Sequence, residues 1–311
     1  MISVVIPCYR SEKTIAGVVG DVRKVLEDNN EDYEMILVDD GSPDGVWPVM
    51  KELAMNSQGH VKSVLLARNF GQHSALMAGY RMAAGDIIIS MDDDGQSSPE
   101  GIMPLINKIR EGYDVVYARY PEMKESLFRR LGSWANYKMS ESLLGKPEGI
   151  KATSYNAIRK FVIDEMIKYE NSYPYIAGLV FRTTKNIADI EIEHKDREVG
   201  VSGYTFFKLI KLWMNGFTAF SEKPLRIASG AGIICAIAGF VYMLVTIIRR
   251  LVNPSIQLGY SSLMAVILFV GGILMMLLGI IGEYIGRIYI SINNAPQYVI
   301  REIAEDKNGT E

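Results

Sequence analysis

The 311-residue sequence predicts an α/β chain, with a doubly wound, mostly parallel sheet domain followed by a two-helix transmembrane hairpin. Three observations predict it. Short Val- and Ile-rich runs alternate with segments of helical pattern over the first two-thirds of the chain. Two uncharged stretches of 22 and 20 residues lie in the last third. The residues just after the apolar runs are clustered acids and arginines. The 49% hydrophobic content beside 22% charged residues is the average of these two unlike parts. Two cysteines exclude a disulfide framework, and a formal charge of −3 argues against a nucleic-acid partner.

The expected strands are residues 2–6 (ISVVI), 33–39 (YEMILVD), 61–67 (VKSVLLA), 86–92 (DIIISMD) and 114–118 (DVVYA). Their apolar runs are continuous, not alternating, which implies burial on both faces and therefore parallel pairing. Helical patterns between them, such as 16–26 and 102–110, complete the repeated β–α alternation. Ligands of such sheets bind beyond the carboxyl ends of the strands. Those ends carry Pro7-Cys8-Tyr9, Asp39-Asp40-Gly41-Ser42, Arg68-Asn69, Asp92-Asp93-Asp94 and Arg119. One aspartate after a strand is an ordinary cap or turn residue. Grouped carboxylates repel one another and need a cation. Mg2+ or Mn2+ suits Asp oxygens and is commonly shared with ligand phosphates, so Asp92 and Asp94 are the expected metal ligands. No GxGxxG follows the first strand, and GxxxxGK[ST] does not occur. His60, His73 and His194 have no zinc spacing, and His73, at a helix start, is expected to be structural.

Residues 227–248 and 263–282 are each long enough, at ~1.5 Å per residue, to cross a hydrocarbon core of roughly 30 Å. Small residues at i, i+4 spacing (Ala231, Cys235, Gly239; Gly282, Gly286) give a weak basis for helix–helix contact and a homo-oligomer. Two crossings return the chain to the side it left. Lys208, Lys211, Lys223, Arg226 and Arg287 flank the spans on that side, against Arg249 and Arg250 in the connecting loop, so the domain is expected in the cytoplasm. Residues 1–203 are then a cytoplasmic domain, 204–226 a juxtamembrane region, 227–286 the hairpin and 287–311 a cytoplasmic tail. The mixture of aromatics, Leu and Lys over 204–220 suits a helix lying among lipid headgroups. The tail is polar from Glu302 and is expected to be disordered, and no signal peptide is expected ahead of the first strand.

The strings VVIPCYRSE, ILVDDGSPD, RNFGQHSALMAGY and SMDDDGQSSPE resemble the successive motifs of family 2 glycosyltransferases of GT-A fold. HKDREVGVSGYTFFKLIKL, FSEKPLRIAS and GIIGEYIGRIYI resemble the subgroup that loads a sugar onto a polyprenyl phosphate. That subgroup includes bactoprenol glucosyltransferases, dolichol-phosphate mannose synthases and undecaprenyl-phosphate aminoarabinose-type transferases. The resemblance runs from residue 2 to about 299.

It implies a multi-pass enzyme of the bacterial inner membrane. A single sugar would pass from a nucleotide-diphosphate sugar, UDP-linked or with thymine in place of uracil, to undecaprenyl phosphate, for modification of a cell-envelope glycan such as lipopolysaccharide. It implies Pro7, Tyr9, Glu12, Asp39, Asp40, Arg68, Asp92 and Asp93 at the nucleotide sugar, with Asp39 on the base and Asp40 near the ribose. Arg197 and Ser202, with Tyr204, would lie near the diphosphate and the membrane surface. It implies Asp92, Asp94 and Gln96 at a Mg2+ or Mn2+ ion, and Asp94, Arg119, Arg129 and Ser133 at the reacting groups, the last three holding the acceptor phosphate. The chain departs from relatives at Gly203, where Lys is common, and at Ile150 and Asn156, where a basic-plus-acidic segment is common. A processive polysaccharide synthase would carry QxxRW and more spans, yet none of Trp47, Trp134 and Trp213 follows an arginine. A non-catalytic membrane scaffold would have no need of intact Asp39, Asp92, Asp94 and Gln96.

Overall fold

The computed structural model describes residues 1–120, 149–192, 260–292 and 296–306, with scattered positions from 232 to 252. It divides into two compact units, Met1–Tyr204 together with Asn294–Glu311, and Thr205–Asn293.

The first unit opens with β1 (Ile2–Cys8), α1 (Ile15–Asp28), β2 (Tyr33–Asp39), α2 (Val46–Met55), β3 (Val61–Leu66) and α3 (Gln72–Met82). It continues through β4 (Ile87–Ser90), α4 (Ile102–Arg110), β5 (Val115–Arg119), β6 (Asn156–Arg159), α5 (Lys160–Met166), α6 (Ile176–Thr183) and β7 (Ile187–Glu191). The eight-stranded sheet has the order β7-β5-β6-β4-β1-β2-β3-β8, where β8 is Ile300–Glu305. β1, β2, β3 and β4 are parallel neighbours, as are β5 and β7; β6 and β8 are antiparallel. Every residue of β1 is buried, as its unbroken apolar run requires. α1 turns Ile15, Val18, Val19, Val22 and Leu26 onto the sheet, and α4 turns Ile102, Leu105, Ile106 and Ile109. This is the i, i+3, i+4, i+7 stripe of an amphipathic helix, and each such side chain contributes about 1.5–3 kcal/mol when fully buried.

The end of the chain corrects the sequence reading. Residues 300–305 are ordered, against the disorder expected from Glu302 onward. They form β8, which closes the β3 edge with Lys62↔Glu305 and Val64↔Ile303 in register. The strand hides because only Ala304 of IREIAE is buried, so no apolar run announces it. Lys51–Glu302 at 2.7 Å and Lys62–Glu305 at 3.2 Å dress this edge, and its charges discourage further strand addition. Deleting residues 296–311 is expected to bare β3 and lower the midpoint of thermal unfolding in detergent by at least ~5 °C, with faster aggregation on heating.

In the second unit α7 spans Tyr260–Ile292, 33 residues, and overruns the expected span at both ends. Within it Phe269–Gly286 is long and apolar enough to cross a membrane. Leu263, Phe269, Leu274, Met275, Leu278 and Ile288 are exposed, which suits a lipid-facing surface far better than water. In the other expected span, the described positions between Gly232 and Ile248 are helical. The proposed interfacial region at 204–226 lies outside the described residues.

Candidate active site

Strand order reverses at β1, with β2 and β3 on one side and β4 on the other, so a crevice opens beyond the carboxyl ends of β1 and β4. The two strands part company early. Pairing of β1 with β4 ends at Val5↔Ser90, whereas pairing with β2 runs on to Cys8↔Asp39. The Val5 carbonyl accepts the Met91 N–H, so Val5, and by the two-residue period Pro7 and Tyr9, turn their backbone groups toward β4. Pro7 has no N–H to leave orphaned there. Pro7 is buried and ends the ladder with β4. Two residues on, the Tyr9 N–H donates to Asp93 Oδ2 at 2.9 Å, and Thr14 Oγ1 donates to the Asp93 carbonyl at 2.7 Å. Asp93 therefore bridges the loops on either side of the crevice.

The loops after β1, β2 and β3 are stitched together. Ser42 N–H donates to Asp39 Oδ1 at 2.8 Å, Arg10 N–H to Ser42 Oγ at 2.8 Å, and Gly45 N–H to Glu12 Oε2 at 3.1 Å. Asp40 accepts from Phe70 N–H at 2.7 Å on one oxygen and from Gly71 N–H at 2.8 Å on the other. Asp40 is 3% exposed, and through these two bonds its carboxylate holds the start of α3. The Arg68 guanidinium stacks over the Phe70 ring at 4.6 Å. Burial pushes the Asp39 carboxyl up to about 6; the Ser42 N–H opposes this, and Asp44 and Asp40 add to it. Asp93 also rises to about 6 through burial, against hydrogen bonds from Ser11 and Tyr9.

Asp92, Asp93, Asp94 and Gln96 share the loop after β4, all half-buried. Asp92 Oδ1 accepts from Gln72 Nε2 at 2.8 Å and Oδ2 accepts from the Ser154 hydroxyl. Burial raises the Asp92 pKa, opposed by Ser154 and reinforced by the Asp94 charge. Asp94 Oδ1 accepts the Gln96 N–H at 3.1 Å across Gly95, whose φ is +74°. Among the described residues no three His, Cys, Asp or Glu side chains converge as a metal cage. Two partly exposed carboxylates fit instead a hard cation that completes its shell with ligand phosphates and water.

The crevice thus gathers Tyr9, Glu12, Asp39, Arg68, Asp92, Asp93, Asp94 and Gln96 at one sheet edge. Arg119 ends β5 at the same edge, but it pairs with Glu191 at 3.3 Å and Asp189 at 3.9 Å on β7. Arg129, Ser133, Arg197 and Ser202 lie outside the described residues, as do Tyr204 and Gly203. The departures at Ile150 and Asn156 are both buried. Asn156 opens β6 and donates to the carbonyls of Thr153 at 3.0 Å and Ser154 at 3.1 Å, so its amide shapes the turn ahead of the strand. His73 packs edge-on to Tyr175 at 5.5 Å, and burial lowers its pKa to about 4, as suits a neutral structural residue. Sequence reasoning missed Gln72, Ser154 and Tyr120. The Tyr120 phenol, its pKa raised by burial, also feels the charges of Asp92 and Asp94. Only Gln72 carried a signal, as a polar residue opening a helix that starts at the crevice.

Residues 3–167 match the model of glycosyl transferase family 2, and residues 223–288 match the GtrB C-terminal hairpin. The chain is 36% identical over 304 residues to the undecaprenyl-phosphate 4-deoxy-4-formamido-L-arabinose transferase of Proteus mirabilis, covering 97% of this chain and 93% of that one. It is 33% identical over 307 residues to the transferase of the same name from Photorhabdus laumondii, covering 98% and 94%. A crystal structure of glucosyl-3-phosphoglycerate synthase from Mycobacterium tuberculosis in complex with Mn2+ and uridine-diphosphate-glucose superposes with a TM-score of 0.50. That likeness covers 70% of this chain and 77% of the other at 18% identity, and it speaks for the fold alone.

Proposed function

This chain belongs to glycosyl transferase family 2, and we propose that it moves a single sugar from a UDP-linked donor to undecaprenyl phosphate at the cytoplasmic face of the bacterial membrane. The observation that carries the proposal is likeness over almost the whole chain, sheet and hairpin together, to transferases named for that acceptor. The crevice supplies the donor half. Asp39 would read the base, Tyr9, Glu12 and Arg68 would line the nucleotide, and Arg197 and Ser202 would lie near the diphosphate. A Mg2+ or Mn2+ ion on Asp92 and Asp94, with Gln96 beside them, would neutralise charge on the departing diphosphate.

The acceptor needs little activation. A phosphate monoester, with a second pKa of about 6, is already anionic at neutral pH, so no strong general base is required. It does need holding. Arg129 and Ser133, four residues apart, would share one helix face and form an anion site. Arg119 would have to exchange Glu191 for the acceptor. Attack at the sugar's C1 opposite the diphosphate predicts inversion, through a transition state with cationic character on the ring.

β8 supports the topology. A sheet that contains both residues 2–119 and residues 300–305 lies wholly on one side of a bilayer, so a spanning segment between them must cross an even number of times. The two spans expected at 227–248 and 263–282 would satisfy this, and the flanking lysines favour the cytoplasm.

The test incubates membranes holding the protein with undecaprenyl phosphate and a panel of labelled UDP-sugars, with and without EDTA. A lipid bearing one sugar, lost with EDTA and restored by Mn2+, is expected. Polymer, or no transfer from any donor, overturns the proposal. The base reading has its own test. An ionised Asp39 accepts a base N–H, and its carboxyl, raised to about 6 by burial, is charged above that pH and neutral below it. UDP affinity is therefore expected to fall as pH drops from 7 to 5 by up to about tenfold per unit below 6. Asp39→Asn should bind weakly and lack this component in calorimetric titrations; an unchanged pH profile in that variant removes Asp39 from the base.

A further inference from the structure

The Asp92 carboxylate is not left to aim itself. One oxygen takes the Gln72 amide from the first turn of α3, and the other takes the Ser154 hydroxyl from the segment ahead of β6. These donors come from opposite sides of the crevice loop, 20 positions before and 62 positions after Asp92. Held at both oxygens, a carboxylate has lost its torsional freedom.

Ser154 is itself built in. Thr153 Oγ1 donates to the Ala118 carbonyl at 2.8 Å, Tyr155 OH donates to the Ser98 carbonyl at 2.9 Å, and the Ala118 N–H donates to the Tyr155 carbonyl at 2.9 Å. Asn156 then spends both amide hydrogens on the carbonyls of Thr153 and Ser154. Its Oδ1 stays buried without a partner, which costs about 1–3 kcal/mol. The residue is satisfied only on the side that shapes the turn. An aspartate here would set a carboxylate against two carbonyl oxygens, so the amide at this departure position is what presents Ser154.

We propose that Gln72 and Ser154 are positioning residues, which fix the direction of the Asp92 carboxylate toward the cation and the donor diphosphate. The proposal rests on Asp92 being a metal ligand. Outer-shell partners of this kind are worth about 10–100-fold in metal affinity.

The test uses the full-length protein in detergent, with free Mn2+ followed by electron paramagnetic resonance in the presence of UDP. Ser154→Ala and Gln72→Ala should each weaken Mn2+ by about tenfold or more. Both should raise KM for the UDP-sugar and leave KM for undecaprenyl phosphate unchanged, with thermal midpoints at the wild-type value. Ser154→Thr, which keeps the hydroxyl, should restore binding. In an Asp92→Asn background, adding Ser154→Ala should change Mn2+ affinity by less than about twofold, because coupled residues are not additive. If Asp92→Asn binds Mn2+ and UDP like wild type, the metal reading fails and this proposal with it. If Asp92→Asn is impaired while Ser154→Ala and Gln72→Ala are not, only the positioning role is overturned. A Ser154→Ala effect that persists undiminished without Asp92 overturns it equally.

Discussion

Asp94→Asn is expected to abolish sugar transfer, by about 10^3-fold or more, with thermal unfolding and membrane insertion unchanged. The magnitude follows from the charge it removes. Electrostatic stabilisation of a leaving diphosphate is worth several kcal/mol, and each ~1.4 kcal/mol is tenfold in rate. The fold should tolerate the change because asparagine matches aspartate in shape, and its carbonyl can still accept the Gln96 N–H that Asp94 Oδ1 accepts. Nor would the loss act through Asp92. The Asp94 charge raises the Asp92 pKa, so its removal lowers that pKa and favours the charged form of Asp92. Asp92→Asn is the less clean experiment, since its new NH2 would face a donor from Gln72 or Ser154. Turnover is read with saturating UDP-sugar and lipid phosphate in the presence of Mn2+. Wild-type turnover in Asp94→Asn would remove this residue from the metal reading.

How much of this was legible beforehand depends on what the sequence signal measures. β1 to β5 stand out because central parallel strands bury both faces and so become apolar runs. β6 (NAIR), β7 (IADIE) and β8 (IREIAE) do not, since short strands and sheet edges need few buried residues. The site divides in the same way. Acidic groups at strand ends marked the crevice, but the division of labour within each group depends on contacts from distant loops. Asp39 and Asp40 are neighbours, yet only Asp40 meets Phe70 and Gly71, some 30 positions on. Asp93 differs from Asp92 and Asp94 because it meets Tyr9, 84 positions before it. Composition and spacing carry no record of such pairings. The same limit applies at Asn156, whose burial and two carbonyl partners give it a place in the turn ahead of β6 that its residue type alone does not announce.

Gly41→Ala is the second large effect, and it follows from close approach of two backbones. Gly41 has φ +62°, where a side chain costs about 1–2 kcal/mol. A Cβ there would also lie 2.4 Å from the Arg68 carbonyl carbon and 2.7 Å from both Arg68 Cα and Asn69 N. These are main-chain atoms, which cannot rotate aside, so the loops after β2 and β3 must separate. Separation draws Asp40 away from the Phe70 and Gly71 N–H groups, and a buried carboxylate without its donors costs about 1–3 kcal/mol or more. The expected result is a fall of about 5–15 °C in the thermal midpoint, taking 2–4 °C per kcal/mol, together with loss of UDP binding as Asp39 shifts with the loop. Gly95→Ala provides the comparison, because Gly95 also has positive φ, at +74°, but open space where a Cβ would go. That variant should show backbone strain alone and a smaller drop. Equal drops in the two would mean that the Arg68 loop relaxes at little cost, and that conformation rather than proximity is what requires glycine at position 41.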